Sequence, residues 1–113
     1  MQKTVPVLPA LDMNETIIFY RDKLNFSIVN YGNYIIAYNK NAELHFFESG
    51  DKYLCKNSSC YILVNNIEDF YASLSAKDII SPDGQLQSKP WNMKEFSILD
   101  NNGNLLRFGE KIK

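Results

Sequence analysis

One order of elements occurs twice along the chain, and that duplication restricts the fold more than any single motif does. In the first half, Thr4 to Leu8 reads as a short strand with Pro6 inside it, which places it at a sheet edge or a chain crossing because proline lacks a ladder donor. Asp12 and Glu15 then open a helix over Asp12 to Lys23, where Met13, Ile17, Tyr20 and Leu24 form one apolar stripe. Phe26 to Tyr31, Tyr34 to Tyr38 and Glu43 to Glu48 follow as three strands. Beyond a polar stretch from Ser49 to Ser58, Cys60 to Val64 is again a strand. Asn66 with Asp69 opens a second helix carrying Ile67, Phe70, Tyr71 and Leu74 at helical spacing. A short strand near Ile79-Ile80, a loop from Ser81 to Pro90 and a terminal hairpin complete the second series.

The halves also echo in letters: Phe19-Tyr20, Leu24 and Ile28 against Phe70-Tyr71, Leu74 and Ile79. A βαβββ unit has a sheet too small to enclose its own core, so two units must pair and their concave faces become a cleft. The predicted fold is therefore α+β, with two βαβββ repeats whose curved mixed sheets form that cleft. At 113 residues the chain is one domain, with repeat one at about 4–48, a linker at 49–58 and repeat two at about 59–110.

The hairpin is the most specific stretch. Asp100-Asn101-Asn102-Gly103 supplies side chains expected to bond their own backbone and a glycine free to take positive φ. Trp91, the only tryptophan, follows Pro90 at the open mouth of this hairpin, where it either closes a core or offers a flat face to a planar ligand.

Composition removes several function classes. A formal net charge of -1 with evenly mixed signs is unsuited to a general nucleic-acid surface. No segment approaches the ~20 apolar residues of a membrane span and no signal peptide is visible, so the protein is expected to be soluble and cytoplasmic. Cys55 and Cys60 match neither a disulfide framework nor a zinc spacing, and neither is tied to the sole histidine, His45, by a nucleophile motif. No phosphate-cradling glycine loop is present.

Four segments carry a family resemblance: Val5-Pro6-Val7-Leu8; Phe19-Tyr20-Arg21-Asp22-Lys23-Leu24-Asn25-Phe26; Leu44-His45-Phe46-Phe47; and Pro90-Trp91 through Glu95-Phe96 to Asp100-Asn101-Asn102-Gly103-Asn104. Together with the duplicated order, they resemble the vicinal oxygen chelate superfamily and, within it, the bleomycin resistance proteins, which bind and sequester the drug rather than alter it. Asn25 stands where the family has glycine, and Asn101-Asn102 where its turn has Pro-Asp or Pro-Ala; asparagine suits both turns sterically.

Metal-dependent members of that superfamily place His or Glu at positions falling near Val5, Glu43, Ser59 and Arg107. Valine cannot ligate, serine ligates poorly and arginine repels a divalent cation, so the resemblance implies no catalytic metal centre, no cofactor and no enzyme activity. His45 is the one residue able to join Glu43. Arg107 is expected to pair with an acid.

The resemblance instead implies an aromatic groove for bleomycin, taken up as the free drug or as its copper complex. Tyr34, Tyr61 and Trp91 would stack the flat bithiazole with Tyr31 close by, and His45 and Phe47 would face the groove. Asn57 and Asn92 would offer loop hydrogen bonds, and Glu48 and Asp51 would attract the cationic tail. Tyr34 and Tyr38 also read as amphipathic strand residues, and Tyr61 and Phe47 as core. Relatives of this kind are homodimers that exchange first strands, with the ligand groove formed between chains, which implies a twofold dimer with two grooves; Pro6 suits the exchange by rigidifying the segment. Two alternatives stay open: a metal-dependent lyase, isomerase or dioxygenase using Glu43 and His45, and a binder of another planar cationic molecule.

Overall fold

The computed structural model describes residues 1–113 and is α+β. It divides into two compact units, Met1–Ser58 with Asn101–Asn104, and Ser59–Asp100 with Leu105–Lys113.

In the first unit, β1 (Val7–Ala10), β2 (Ser27–Asn30), β3 (Tyr34–Asn39) and β4 (Ala42–Glu48) form an open mixed sheet in the order β1-β4-β3-β2. β1 runs parallel to β4 and the other pairs are antiparallel. The first strand starts later than Thr4, so Pro6 precedes it and Pro9 lies within it. An edge position accommodates Pro9, whose missing N–H would interrupt a central strand.

Helix α1 (Met13–Leu24) begins where Asp12 accepts the Glu15 amide. It ends at Asn25, which takes the left-handed conformation at φ 58° in place of glycine. Its buried stripe is Met13, Thr16, Phe19, Tyr20 and Leu24, so Thr16 and not Ile17 faces inward. The reason is polar: the Thr16 hydroxyl donates to the Asp12 carbonyl at 2.7 Å and accepts from Asn102 at 3.1 Å. Tyr20, wholly buried, meets Phe19, Phe26 and Phe46 at ring centroid distances of 5.3, 5.8 and 4.7 Å.

The polar stretch 49–58 holds a helix that apolar periodicity did not reveal. Helix α2 (Lys52–Lys56) starts on Asp51, whose side chain accepts the Tyr53 and Leu54 amides, and buries Cys55 with its thiol 3.8 Å from the Pro9 carbonyl.

The hairpin tip departs from expectation. Asn102 turns away from its own backbone and accepts the Leu11 amide at 2.9 Å, while Asn104 donates to the Pro9 carbonyl at 2.9 Å. Both are buried, so this turn is part of the first unit's core. Gly103 takes φ 97°, as anticipated for a turn glycine.

In the second unit, β5 (Ser59–Leu63), β6 (Gln87–Lys89), β7 (Met93–Leu99) and β8 (Leu105–Lys111) form an open mixed sheet in the order β5-β8-β7-β6, with β5 parallel to β8. The first sheet's pattern thus recurs. Ile79-Ile80 contributes only a single bridge, Ile80 to Ile98, and the strand of that segment is β6, inside the expected loop. Gln-Ser-Lys has no β-branched residue to announce it; pairing with β7 makes it a strand. Helix α3 (Ile67–Ser75) packs Phe70 and Tyr71 on Phe96 and Phe108 at centroid distances of 5.0 to 5.8 Å. Asn66 does not cap it by its side chain; the Glu110 carboxylate, brought from β8, accepts the Asn66 and Ile67 amides at 2.9 and 3.1 Å.

Candidate functional site

On the second sheet, alternation sends Tyr61, Arg107, Ser97 and Glu95 to one face and Phe96, Ile98, Leu106 and Phe108 to the core. Tyr61 lies opposite Arg107, Arg107 opposite Ser97, and Gly109 opposite both Leu63 and Glu95. The centre of this face is the Glu95 carboxylate, only 5% exposed. Its Oε2 accepts the Tyr61 hydroxyl at 2.8 Å and the Trp91 indole N–H at 2.7 Å. One buried acid thus orients the two largest aromatic plates on the face.

Gly109 makes that arrangement possible, since a Cβ there would overlap the Tyr61 phenol. The tyrosine ring lies across bare backbone to reach Glu95. Partial burial and donation to Glu95 push the Tyr61 phenol up to about 12. Trp91 sits in the three-residue connection between β6 and β7, where Asn92 takes φ 65° and its amide bonds the Lys89 carbonyl. The Trp91 ring is 59% exposed, with the Lys89 ammonium 5.9 Å from its centroid.

Trp91, Glu95 and Lys89 border a groove of about 450 Å³, within the range of small-molecule sites. Its lining includes Trp91, Glu95, Ser97 and Arg107. Arg107 forms no ion pair, contrary to expectation, because the neighbouring acid, Glu95, is engaged by the two aromatics.

On the first sheet, Tyr34 stands opposite Phe47 and Ile36 opposite His45, so Tyr34, His45, Phe47 and Glu43 share a face. His45 Nε2 lies 2.6 Å from Glu43 and Nδ1 lies 2.7 Å from the Tyr34 hydroxyl. Lys3, at 2.9 Å, and then His45 hold the Glu43 carboxyl below its usual range. An ionised carboxylate only accepts, so Nε2 carries the proton; in the neutral ring Nδ1 then accepts from Tyr34. The chain Lys3, Glu43, His45, Tyr34 fixes the tyrosine ring edge-on to the imidazole, with centroids 5.4 Å apart.

The remaining expected site residues have varied surroundings. Tyr31 is 67% exposed in the β2–β3 turn, and Glu48 is exposed at the end of β4. Asp51 and Asn57 flank α2: Asp51 caps its start, and the Asn57 carboxamide donates to the Tyr53 carbonyl at 2.8 Å. The Asn92 carboxamide donates to the Ile112 carbonyl at 3.2 Å. Glu95, Gly109 and Lys89 were not anticipated. Neither Glu95 nor Gly109 had a signal in the sequence: Glu95 alternates with Ser97 on the face of β7 opposite Phe96 and Ile98, as an ordinary solvent-facing acid would.

The four positions considered for metal carry Val5, Glu43, Ser59 and Arg107, and no group of three His, Cys, Asp or Glu side chains converges anywhere in the chain. Burial raises the Cys60 thiol to about 11, far from a reactive thiolate.

Comparison with known proteins places this geometry in context. The sequence model of the Glyoxalase/Bleomycin resistance protein/Dioxygenase superfamily matches residues 5–108. A bleomycin resistance protein of Geobacillus stearothermophilus is 25% identical over 131 aligned positions, covering 100% of this chain and 99% of the relative. The crystal structure of a bleomycin resistance determinant encoded on the transposon Tn5 superposes with a TM-score of 0.85 at 23% identity, covering 98% of each chain. That of a bleomycin-binding protein complexed with bleomycin gives 0.83 at 24% identity, covering 98% of this chain and 99% of the other.

Proposed function

The chain belongs to the Glyoxalase/Bleomycin resistance protein/Dioxygenase superfamily, and from that membership we propose that it confers antibiotic resistance by binding and sequestering bleomycin-type glycopeptides without altering them. The observation that carries this reading is the Trp91 plate, exposed on a groove and oriented from beneath by Glu95. A binder of a flat bithiazole needs rigid aromatic faces positioned before the ligand arrives, since ordering them on binding would reduce affinity. Tyr61 on Glu95 and Tyr34 on His45 are restrained in the same way. Phe47 and Tyr31 extend the aromatic surface of the first unit. Glu48 and Asp51 would meet the cationic tail, and the side-chain oxygens of Asn57 and Asn92 would accept from the drug's polar parts.

The functional form in this proposal is a twofold homodimer with exchanged first strands, in the cytoplasm, with neither nucleic acid nor membrane as partner. Support comes from the edge position of β1, its flanking Pro6 and the exposed Val7, together with two cysteines that form no disulfide. No helix is long and apolar enough to cross a membrane.

Calorimetric titration of metal-free and copper-loaded bleomycin tests the proposal. One drug per chain with sub-micromolar affinity, weakened about tenfold by Trp91→Ala, is expected. Absence of heat with both forms refutes it. A stoichiometric divalent ion in the purified protein would instead favour the metal-dependent enzymes of the superfamily, for which Glu43 and His45 are the available donors.

A further inference from the structure

The groove of the second unit holds two cations outside any ion pair. Arg107, exposed at the middle of β8, and Lys89, on β6, both line it and take part in no ion pair. Two carboxylates also border the groove. Glu95 is buried with Oε2 shared by Tyr61 and Trp91, and Asp83 lies on the loop before β6 without an ion pair. Arg107 further borders a second hollow of about 270 Å³ beside Ser59, Cys60 and Tyr61.

Register sets the spacing between charge and ring. Arg107 lies one strand over and two residues along from Glu95, a diagonal of about 7–8 Å between such positions. Glu95 in turn holds the Trp91 indole. A guanidinium is a planar fork of donors that matches two oxygens at once and is more weakly hydrated than an ammonium, so it recognises a carboxylate or sulfonate with direction as well as charge. A flat ring on Trp91 with a compact oxyanion at its edge satisfies both features, and 450 Å³ accommodates a bicyclic aromatic.

We infer that this groove is a binding site for anionic aromatic acids, the ring stacked on Trp91 and the carboxylate or sulfonate held by Arg107. The assignment goes beyond sequestration of bleomycin-type drugs, whose tail is cationic, and shares with it the Trp91 plate.

The test compares three ligands matched in ring and different in charge: 2-naphthoate, 2-naphthamide and 2-naphthylmethylammonium. Binding is followed by the NMR resonance of the Trp91 indole N–H, unambiguous because the chain has one tryptophan. Naphthoate is expected to bind about tenfold more tightly than the amide, with the ammonium weakest. Arg107→Gln should erase the preference by weakening naphthoate far more than the amide at an unchanged urea midpoint, and Arg107→Lys should restore part of it. Equal affinities, strongest binding by the ammonium, a preference that survives Arg107→Gln, or no shift of the resonance would each overturn the inference. Bleomycin titrated into the wild-type chain separates the two readings: a naphthoate preference that Arg107→Gln erases supports this site whether or not the drug binds, whereas absence of drug binding beside that preference refutes only the sequestration proposal.

Discussion

Gly109→Ala is expected to unseat the aromatic pair on the second sheet through a single methyl group. The added carbon would fall within the Tyr61 phenol, and backbone at the middle of a paired strand cannot retreat, so the ring must move. Tyr61 is 43% exposed and can swing into solvent, which limits the strain. The cost is then chiefly the hydrogen bond to the Glu95 carboxylate, about 1.5–3 kcal/mol for a bond to a charged group. A value near 2 kcal/mol also sits within the usual range for overpacking. It corresponds to a fall in Tm of about 8 °C. Urea unfolding reads this as a lower midpoint at unchanged m-value. The control is the same substitution in a Tyr61→Ala background, where the methyl meets nothing and glycine's extra unfolded-state entropy is removed. Its cost there should drop to about zero, giving a coupling energy of about 2 kcal/mol. An equal cost in both backgrounds would show that Tyr61 is not what the methyl encounters, and would remove Gly109 from the account of the groove.

Alkaline unfolding should report the same tyrosine. Its folded pKa of about 12 exceeds the ordinary value of 10.0, so its contribution is complete below pH 10 and disappears as pH rises through 12. Tyr61→Phe should flatten that part of the pH–stability curve, and an unchanged curve would contradict the assignment. Asn102→Ala leaves the Leu11 amide without its acceptor in a buried turn and should cost about 2 kcal/mol by urea unfolding; a loss below about 0.5 kcal/mol would mean that the turn is not part of the first unit's core. At the start of α3, the Ile67 and Asn66 amides hold the Glu110 carboxyl below its usual 4.5. Its contribution is present above that pH and is lost as pH falls through the lower folded value. Glu110→Gln should therefore be less stable than wild type at neutral pH and converge with it in acid, with faster exchange of the Ile67 amide; no difference at pH 7 refutes the cap.

The candidate site was partly legible. Trp91 and Tyr61 stood out as large aromatics, and the structure ties both to one carboxylate. Glu43 and His45 stood out as a pair on one strand face, and they bond each other. The acceptor between Tyr61 and Trp91 was not legible because Tyr61 and Glu95 lie 34 residues apart and meet only after β5, β8 and β7 align. Arg107 was misjudged for a related reason: its nearest acid in the sheet is engaged by uncharged donors, which charge counting cannot show.

What the sequence determined by itself was the element order apart from α2 and β6, and the turns at Asn25 and Gly103, since these depend on neighbours within a few residues: helical spacing, Asp12 before Glu15, Asn25 and Gly103 at positive φ. Even there, local signals failed where the partner came from afar, as with Thr16 facing Asn102 and Glu110 capping α3. Register belonged to the tertiary structure, and with it the choice of which side chains share a face. A slip of one residue between β7 and β8 would send Glu95 to the opposite face, and one between β5 and β8 would take Gly109 from beneath Tyr61. Local propensity is almost indifferent to such a slip. Burial of Phe96, Ile98, Leu106 and Phe108 is not, and the packing of that core is what places Trp91, Glu95 and Arg107 on one groove, with Tyr61 bonded to the same acid beside it.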